Sequence, residues 1–180
     1  SSLQANDLSS LFDLDGEVFN KGPESLFGSE QSESFSWMTT RHDEARYFAP
    51  QTGGTLCFLD FSVPEVNIRF EGSKFNNAVV YLYNRADSKT LHGKKAFTSK
   101  LDSILSRFEK WGELSKGKES KTRRGGAYEF SKQWIRSPYL FEARWSYSGT
   151  GTKLIGEYIN IYISKYTGKK PSSTGIPAKE

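Results

Sequence analysis

The chain of 180 residues holds one cysteine, Cys57, one methionine, Met38, and two histidines, His42 and His92. A single thiol excludes an internal disulfide and any zinc site built on several thiolates. The two histidines lack the paired spacing of a zinc motif, so neither metal nor cofactor is expected. No window approaches about 18 consecutive apolar residues, and no membrane-spanning helix is expected. Aliphatic content is low as well: all hydrophobic residues together make up 36% of the chain, and mean hydropathy is −0.62. Rings stand in their place. Thirteen phenylalanines, nine tyrosines and four tryptophans can bury more area per side chain than aliphatics do, and disordered chains are poor in them. The length suits one domain rather than two.

Charge is unevenly spread. Residues 1–50 carry nine acidic side chains against Lys21, Arg41 and Arg46, whereas the remainder carries 22 basic against 12 acidic ones. Two separately solvated regions account for this more simply than an acidic segment clamped on a basic face.

Residues 1–23 read as an irregular arm, in which Leu11, Phe12 and Phe19 are the anchoring side chains and Asp15-Gly16 marks a turn. Residues 24–166 read as one α+β domain, anchored near its start by Leu26-Phe27, with Gly28 as a break. Strand candidates are Phe35–Trp37, Ala45–Phe48 and Leu56–Phe61. A further one alternates Val66, Ile68 and Phe70 with Asn67 and Arg69, the period of a half-buried strand. Glu71–Lys74 is a hairpin turn into Ala78–Tyr83, which is apolar on both faces and therefore central in its sheet. Phe97, Leu101, Ile104, Leu105, Phe108 and Trp111 form one stripe at helical spacing, and Gly112 is suited to end that helix. Beyond a basic stretch from Lys116 to Gly126, alternation resumes at Tyr128 and Phe130. It continues with Tyr139, Phe141, Ala143, Trp145 and Tyr147, opposed by Glu142, Arg144 and Ser146, and finishes with Ile159, Ile161 and Ile163. Short turns cannot make parallel crossovers, so the expected fold is an antiparallel β-sheet with one long amphipathic helix packed on a face. Residues 167–180 read as a linker or flexible tail. With Ser1 at the start, a removed leader or a longer parent protein is expected.

Candidate chemistry is sparse. His42-Asp43-Glu44 with Cys57 is the one set resembling a nucleophile and base, but Cys57 lies among Leu56, Phe58 and Leu59, where a cysteine is usually a small hydrophobe. Asp13-Leu14-Asp15-Gly16-Glu17 superficially resembles a calcium loop, yet Phe19 and Lys21 fall at ligand positions, so it reads as a turn. Gly149 and Gly151 have no following helix to cradle a phosphate. The basic stretch is more informative. Lys116, Lys118, Lys121, Arg123, Arg124 and Lys132 are interleaved or flanked by Tyr128, Phe130 and Trp134, a composition that single-stranded nucleic-acid binders use for stacking and phosphate neutralisation. Inward-facing rings on a solvated hairpin are the plain alternative.

Several short landmarks stand along the chain: Glu24-Ser25-Leu26-Phe27-Gly28, Val66-Asn67-Ile68-Arg69-Phe70, Val80-Tyr81-Leu82-Tyr83-Asn84-Arg85, Lys100-Leu101-Asp102 and Arg144-Trp145-Ser146-Tyr147. With them the chain resembles an uncharacterised family of bacterial exported proteins in which such a domain precedes a papain-like (C39-like) cysteine peptidase domain. The resemblance implies export to the periplasm or exterior and an accessory, non-catalytic role, with any peptidase residues lying in sequence beyond this chain. The expected function is therefore a binding or spacer module of a larger exported protein, not an enzyme. Its partner would be a downstream domain or an envelope component. A nucleic-acid-binding module is the second expectation, and a hydrolase using Cys57 the third.

Overall fold

Alternating apolar side chains dictate one long antiparallel sheet, and the helical stripe dictates what covers it. The computed structural model describes residues 7–31, 35–48, 56–84, 94–111, 114–124, 127–147 and 157–168. The fold is α+β. Two 3-10 turns, Leu8–Leu11 and Glu17–Asn20, precede a helix α1 (Pro23–Gln31). The strands are β1 (Phe35–Trp37), β2 (Glu44–Phe48), β3 (Cys57–Phe58), β4 (Phe61–Ser62), β5 (Glu65–Glu71) and β6 (Lys74–Asn84). After the helix α2 (Lys94–Glu109) come β7 (Lys118–Arg124), β8 (Ala127–Arg136), β9 (Tyr139–Ser146) and β10 (Tyr158–Lys165). Eight of them form one sheet in the order β1-β2-β5-β6-β10-β9-β8-β7, with β3-β4 a separate small hairpin. Every paired neighbour in the large sheet is antiparallel.

One face of this sheet carries the core. Val66 and Ile68 of β5, Ala78 and Val80 of β6, Ile161 and Ile163 of β10, and Phe141 and Ala143 of β9 are buried side by side. Helix α2 lies on them through Phe97, Leu101, Ile104 and Phe108. Phe97 meets Tyr83 edge-on at 5.4 Å, and Phe108 stacks on Trp134 at 5.4 Å. The anchors of the N-terminal arm are part of the same core, although the arm was expected to be irregular. Phe12 contacts the rings of Phe58, Phe75, Tyr139 and Phe141, and Tyr139 Oη donates to the Asp13 carbonyl at 2.5 Å. The Asp15-Gly16 turn is real: Gly16 has φ +69°, and a Cβ there would lie 2.7 Å from Pro138 Cγ, so glycine is required twice over.

Three local expectations change. Helix α1 runs through Gly28 to Gln31; Pro23 occupies its first position, where a missing N–H is harmless. The strand expected over Leu56–Phe61 is folded back on itself, with Leu59 and Asp60 both at positive φ and Phe58 opposite Phe61. Residues Lys118–Arg124, expected as a basic stretch without regular structure, form the edge strand β7. The Glu71–Lys74 hairpin is as expected, turning through Gly72 and Ser73 at positive φ as a two-residue hairpin requires. Gly93, Gly112, His92 and the Gly149–Gly151 turn lie outside the described residues, as do residues 169–180.

Candidate functional site

The opposite face of the large sheet is built from the other half of each alternation. Register places Arg46, Asn67, Val79, Tyr162, Glu142, Gln133 and Lys118 along one row across β2, β5, β6, β10, β9, β8 and β7. The next row runs through Glu65, Tyr81, Asn160, Arg144, Ser131 and Ser120. Among the described residues both helices, the 3-10 turns and the β3-β4 hairpin pack on the apolar face, and none covers this one. Toward the middle of the sheet, on β10 and β9, its side chains are nonetheless well shielded, because they lie on one another. The side chains of Arg144 and Glu142 are only 11% and 12% exposed, and Asn160 is 8% exposed.

The shielded groups are held in a chain of bonds. Arg144 Nε and Gln133 Nε2 both donate to the Glu142 carboxylate, and the Arg144 guanidinium lies 4.2 Å from the centre of the Tyr162 ring. Asn67 Nδ2 donates to Glu44 Oε1 at 2.7 Å, and Arg69 Nη2 stands 3.7 Å from Glu44 Oε2. Tyr158 Oη donates to Glu129 Oε2. Burial alone would make Arg144 easier to deprotonate, but the charge and hydrogen bond of Glu142 outweigh it and hold the guanidinium charged. Burial pushes the Tyr81 phenol up, with the Glu65 carboxylate adding to it, so Tyr81 remains a neutral hydroxyl.

Asn67 Oδ1 and Asn160 Oδ1 on this face are buried and have no hydrogen-bond partner, and the same holds for Trp134 Nε1 and Arg136 Nε on the apolar side. None of the residues bonded together on this face was singled out from the sequence as a binding group. They are contributed singly by several strands, as ordinary polar members of an alternation, and no local spacing marks them.

The basic residues are not gathered into one patch. Lys121 and Arg123 lie on the apolar face of the β7-β8 hairpin, opposite Phe130 and Tyr128. There Lys121 Nζ sits 4.0 Å from the centre of the Tyr128 ring, and Phe130 stacks on Trp145 at 6.1 Å. Tyr128 is 44% exposed, and Trp134 is buried. Lys118 points to the other face, opposite Gln133. Lys132 Nζ is bonded to Glu109 at 2.5 Å and lies 3.8 Å from Glu119, so its charge is already matched. Lys116 borders a recess of about 640 Å³ shared with Glu109, Glu119, Lys132 and Trp134. The Arg124 side chain lies outside the described residues.

Cys57 is half-buried on the small hairpin, opposite Ser62. Burial pushes its thiol up, and the carboxylates of Asp7 and Asp60 push it further, the reverse of what activates a nucleophile. His42 is exposed in the turn between β1 and β2. Asp13 and Asp15 close a turn on backbone N–H groups. Among the described residues no group of three or more His, Cys, Asp or Glu side chains is placed to hold a metal ion, and no helix is long and apolar enough to cross a membrane. No family model, curated protein or solved structure matches the chain.

Proposed function

We propose that this chain is a non-catalytic binding module and that its ligand lies on the polar face of the large sheet. The observation that carries the proposal is a polar sheet face, ordered by hydrogen bonds and ion pairs among its own side chains, that no described element covers. The sequence resemblance supports the remainder of the proposal, an exported parent protein in which this module precedes a peptidase domain.

The test is amide chemical-shift mapping of the isotopically labelled chain against a mixed library of neutral sugars, short peptides and oligonucleotides. Binding on the polar face predicts shifts clustered on β5, β6, β10 and β9. Shifts centred on Cys57, or none at all, contradict it. A second ligand class has one observation in its favour, the exposed Tyr128 ring beside Lys121 and Arg123. Oligonucleotide binding there would move β7 and β8 instead, and would weaken steeply as salt is raised.

A further inference from the structure

Strand β7 is an open edge of the large sheet. It has seven residues, stands last in the strand order, and among the described residues its backbone bonds only to β8. The other end of the sheet is closed more tightly. There β1 has three residues, and Phe35 lies on Phe27 of α1 with ring centres 4.1 Å apart. An edge strand turns every second residue's N–H and C=O outward, where a further strand can pair with them.

The charges of β7 flank that edge on both faces. Register puts Lys118 on the polar face, opposite Gln133, and Lys121 and Arg123 on the other, opposite Phe130 and Tyr128. All three are exposed, and among the described residues none has a carboxylate within ion-pair distance. The one acid of the strand, Glu119, is already met by Lys132 Nζ at 3.8 Å. The edge therefore offers outward hydrogen bonds with unmatched positive charge on either side of them. A second copy of β7 brings the same surplus and is repelled. A strand bearing carboxylates is attracted, because opposite charges directly across a ladder stabilise it and like charges do not.

A single-stranded nucleic acid shares the charge but not the rest. It carries no alternating N–H and C=O groups to pair with the edge. The rings beside the cations are also occupied: Lys121 Nζ lies 4.0 Å from the centre of Tyr128 and 5.6 Å from that of Phe130, and Phe130 is stacked on Trp145.

Independently of the polar face, we infer that β7 is a docking edge for an acidic, extended segment of a partner protein, which adds a further strand to the sheet. The addition is antiparallel, like every other pairing in the sheet. Cross-strand register then fixes the pattern of the segment. Counted from the residue opposite Arg124, carboxylates stand at the second, fourth and seventh positions, across from Arg123, Lys121 and Lys118. The sixth position faces Glu119 and is not acidic.

The experiment is calorimetric titration of the intact chain, at low salt, with a capped, threonine-rich heptapeptide that has glutamate at those three positions. One comparison peptide carries glutamine in place of glutamate. Two others keep the glutamates and are N-methylated on the odd-numbered or on the even-numbered residues. A decamer of deoxythymidylate is run in parallel. The proteins are wild type, the double variant Lys121→Ala with Arg123→Ala, and a Lys74→Ala control beside the distant β5-β6 turn, each checked for a cooperative melt. The glutamate peptide should bind wild type at least tenfold more tightly than the glutamine peptide. Its Kd should weaken tenfold or more in the double variant and stay within twofold in Lys74→Ala. One N-methylation pattern should abolish binding, since it removes the N–H groups that face β7, and the other should leave most of it. Equal binding by the two N-methylated peptides overturns strand addition. Undiminished binding to the double variant overturns β7 as the seat. Absence of binding by the glutamate peptide overturns the proposal outright, and an oligonucleotide that then binds wild type but not the double variant makes this edge a nucleic-acid site instead. The polar face is decided separately, by the shift mapping of β5, β6, β10 and β9.

Discussion

Phe141 and Glu142 are neighbours in β9, point to opposite faces of the same sheet, and are both largely hidden from water, the first fully and the second with its side chain 12% exposed. Phe141 is hidden by Phe12, Phe108, Trp111 and Tyr139, which reach it from the arm, from helix α2 and its end, and along its own strand. Glu142 is hidden by Gln133 and Arg144, members of its own sheet. Apolar burial is non-directional and needs only that a second layer be present. Polar burial is directional, and every unmet bond carries a penalty. A sheet with one face of each kind obtains its stability from the first.

The contrast predicts how substitutions divide. Phe141→Ala or Phe108→Ala, which open a hole in the ring cluster, should destabilise the chain by about 3–5 kcal/mol in urea unfolding. A loss under about 1 kcal/mol at either site would mean that the core is not where the contacts place it. On the polar face, Arg144→Met alone should cost about 2–3 kcal/mol because it strands Glu142. The double change Arg144→Met with Glu142→Leu should recover most of that loss, and a double variant no better than the single one would show that the pair itself holds the sheet together.

Tyr139→Phe should cost about 1 kcal/mol, for one neutral hydrogen bond to the Asp13 carbonyl. It has a pH signature as well. Burial, then Asp15 and Asp13, push the Tyr139 phenol above its ordinary 10.0, so the folded state favours the neutral form. Its contribution is fully present below pH about 10 and is lost as pH rises toward the folded value. Wild-type stability should therefore fall more steeply than that of Tyr139→Phe above pH about 10. Equal slopes in the two proteins would remove the buried phenol from the account. Lys121→Ala and Arg123→Ala, on the exposed edge hairpin, should change stability by no more than about 0.5 kcal/mol.

Much of the apolar face was legible in the sequence. The stripe from Phe97 to Trp111 and the alternation from Tyr139 to Tyr147 carry their own periods, because one side of each element meets the core at every turn or every second residue. Strand β7 carries no such period. It is an edge strand whose Lys118, Glu119, Ser120, Lys121 and Arg123 are all exposed, and charged edges of this kind resist unwanted pairing. The β3-β4 hairpin was hidden for the opposite reason: Phe58 and Leu59 are buried in succession, which reads as a continuous strand. The polar face was not legible as a site. Asn160 between Ile159 and Ile161 is what any half-buried strand shows, and only the cross-strand register brings it into line with Tyr81 and Arg144.

The central claim is that the polar face is kept for a ligand rather than for the fold, and thermal unfolding of Asn160→Leu without ligand tests it most directly. Removing an orphaned buried acceptor relieves an unmet bond, so the variant should melt at the wild-type temperature or above it. A fall of several degrees would show that this side chain holds the sheet together, and would contradict the account.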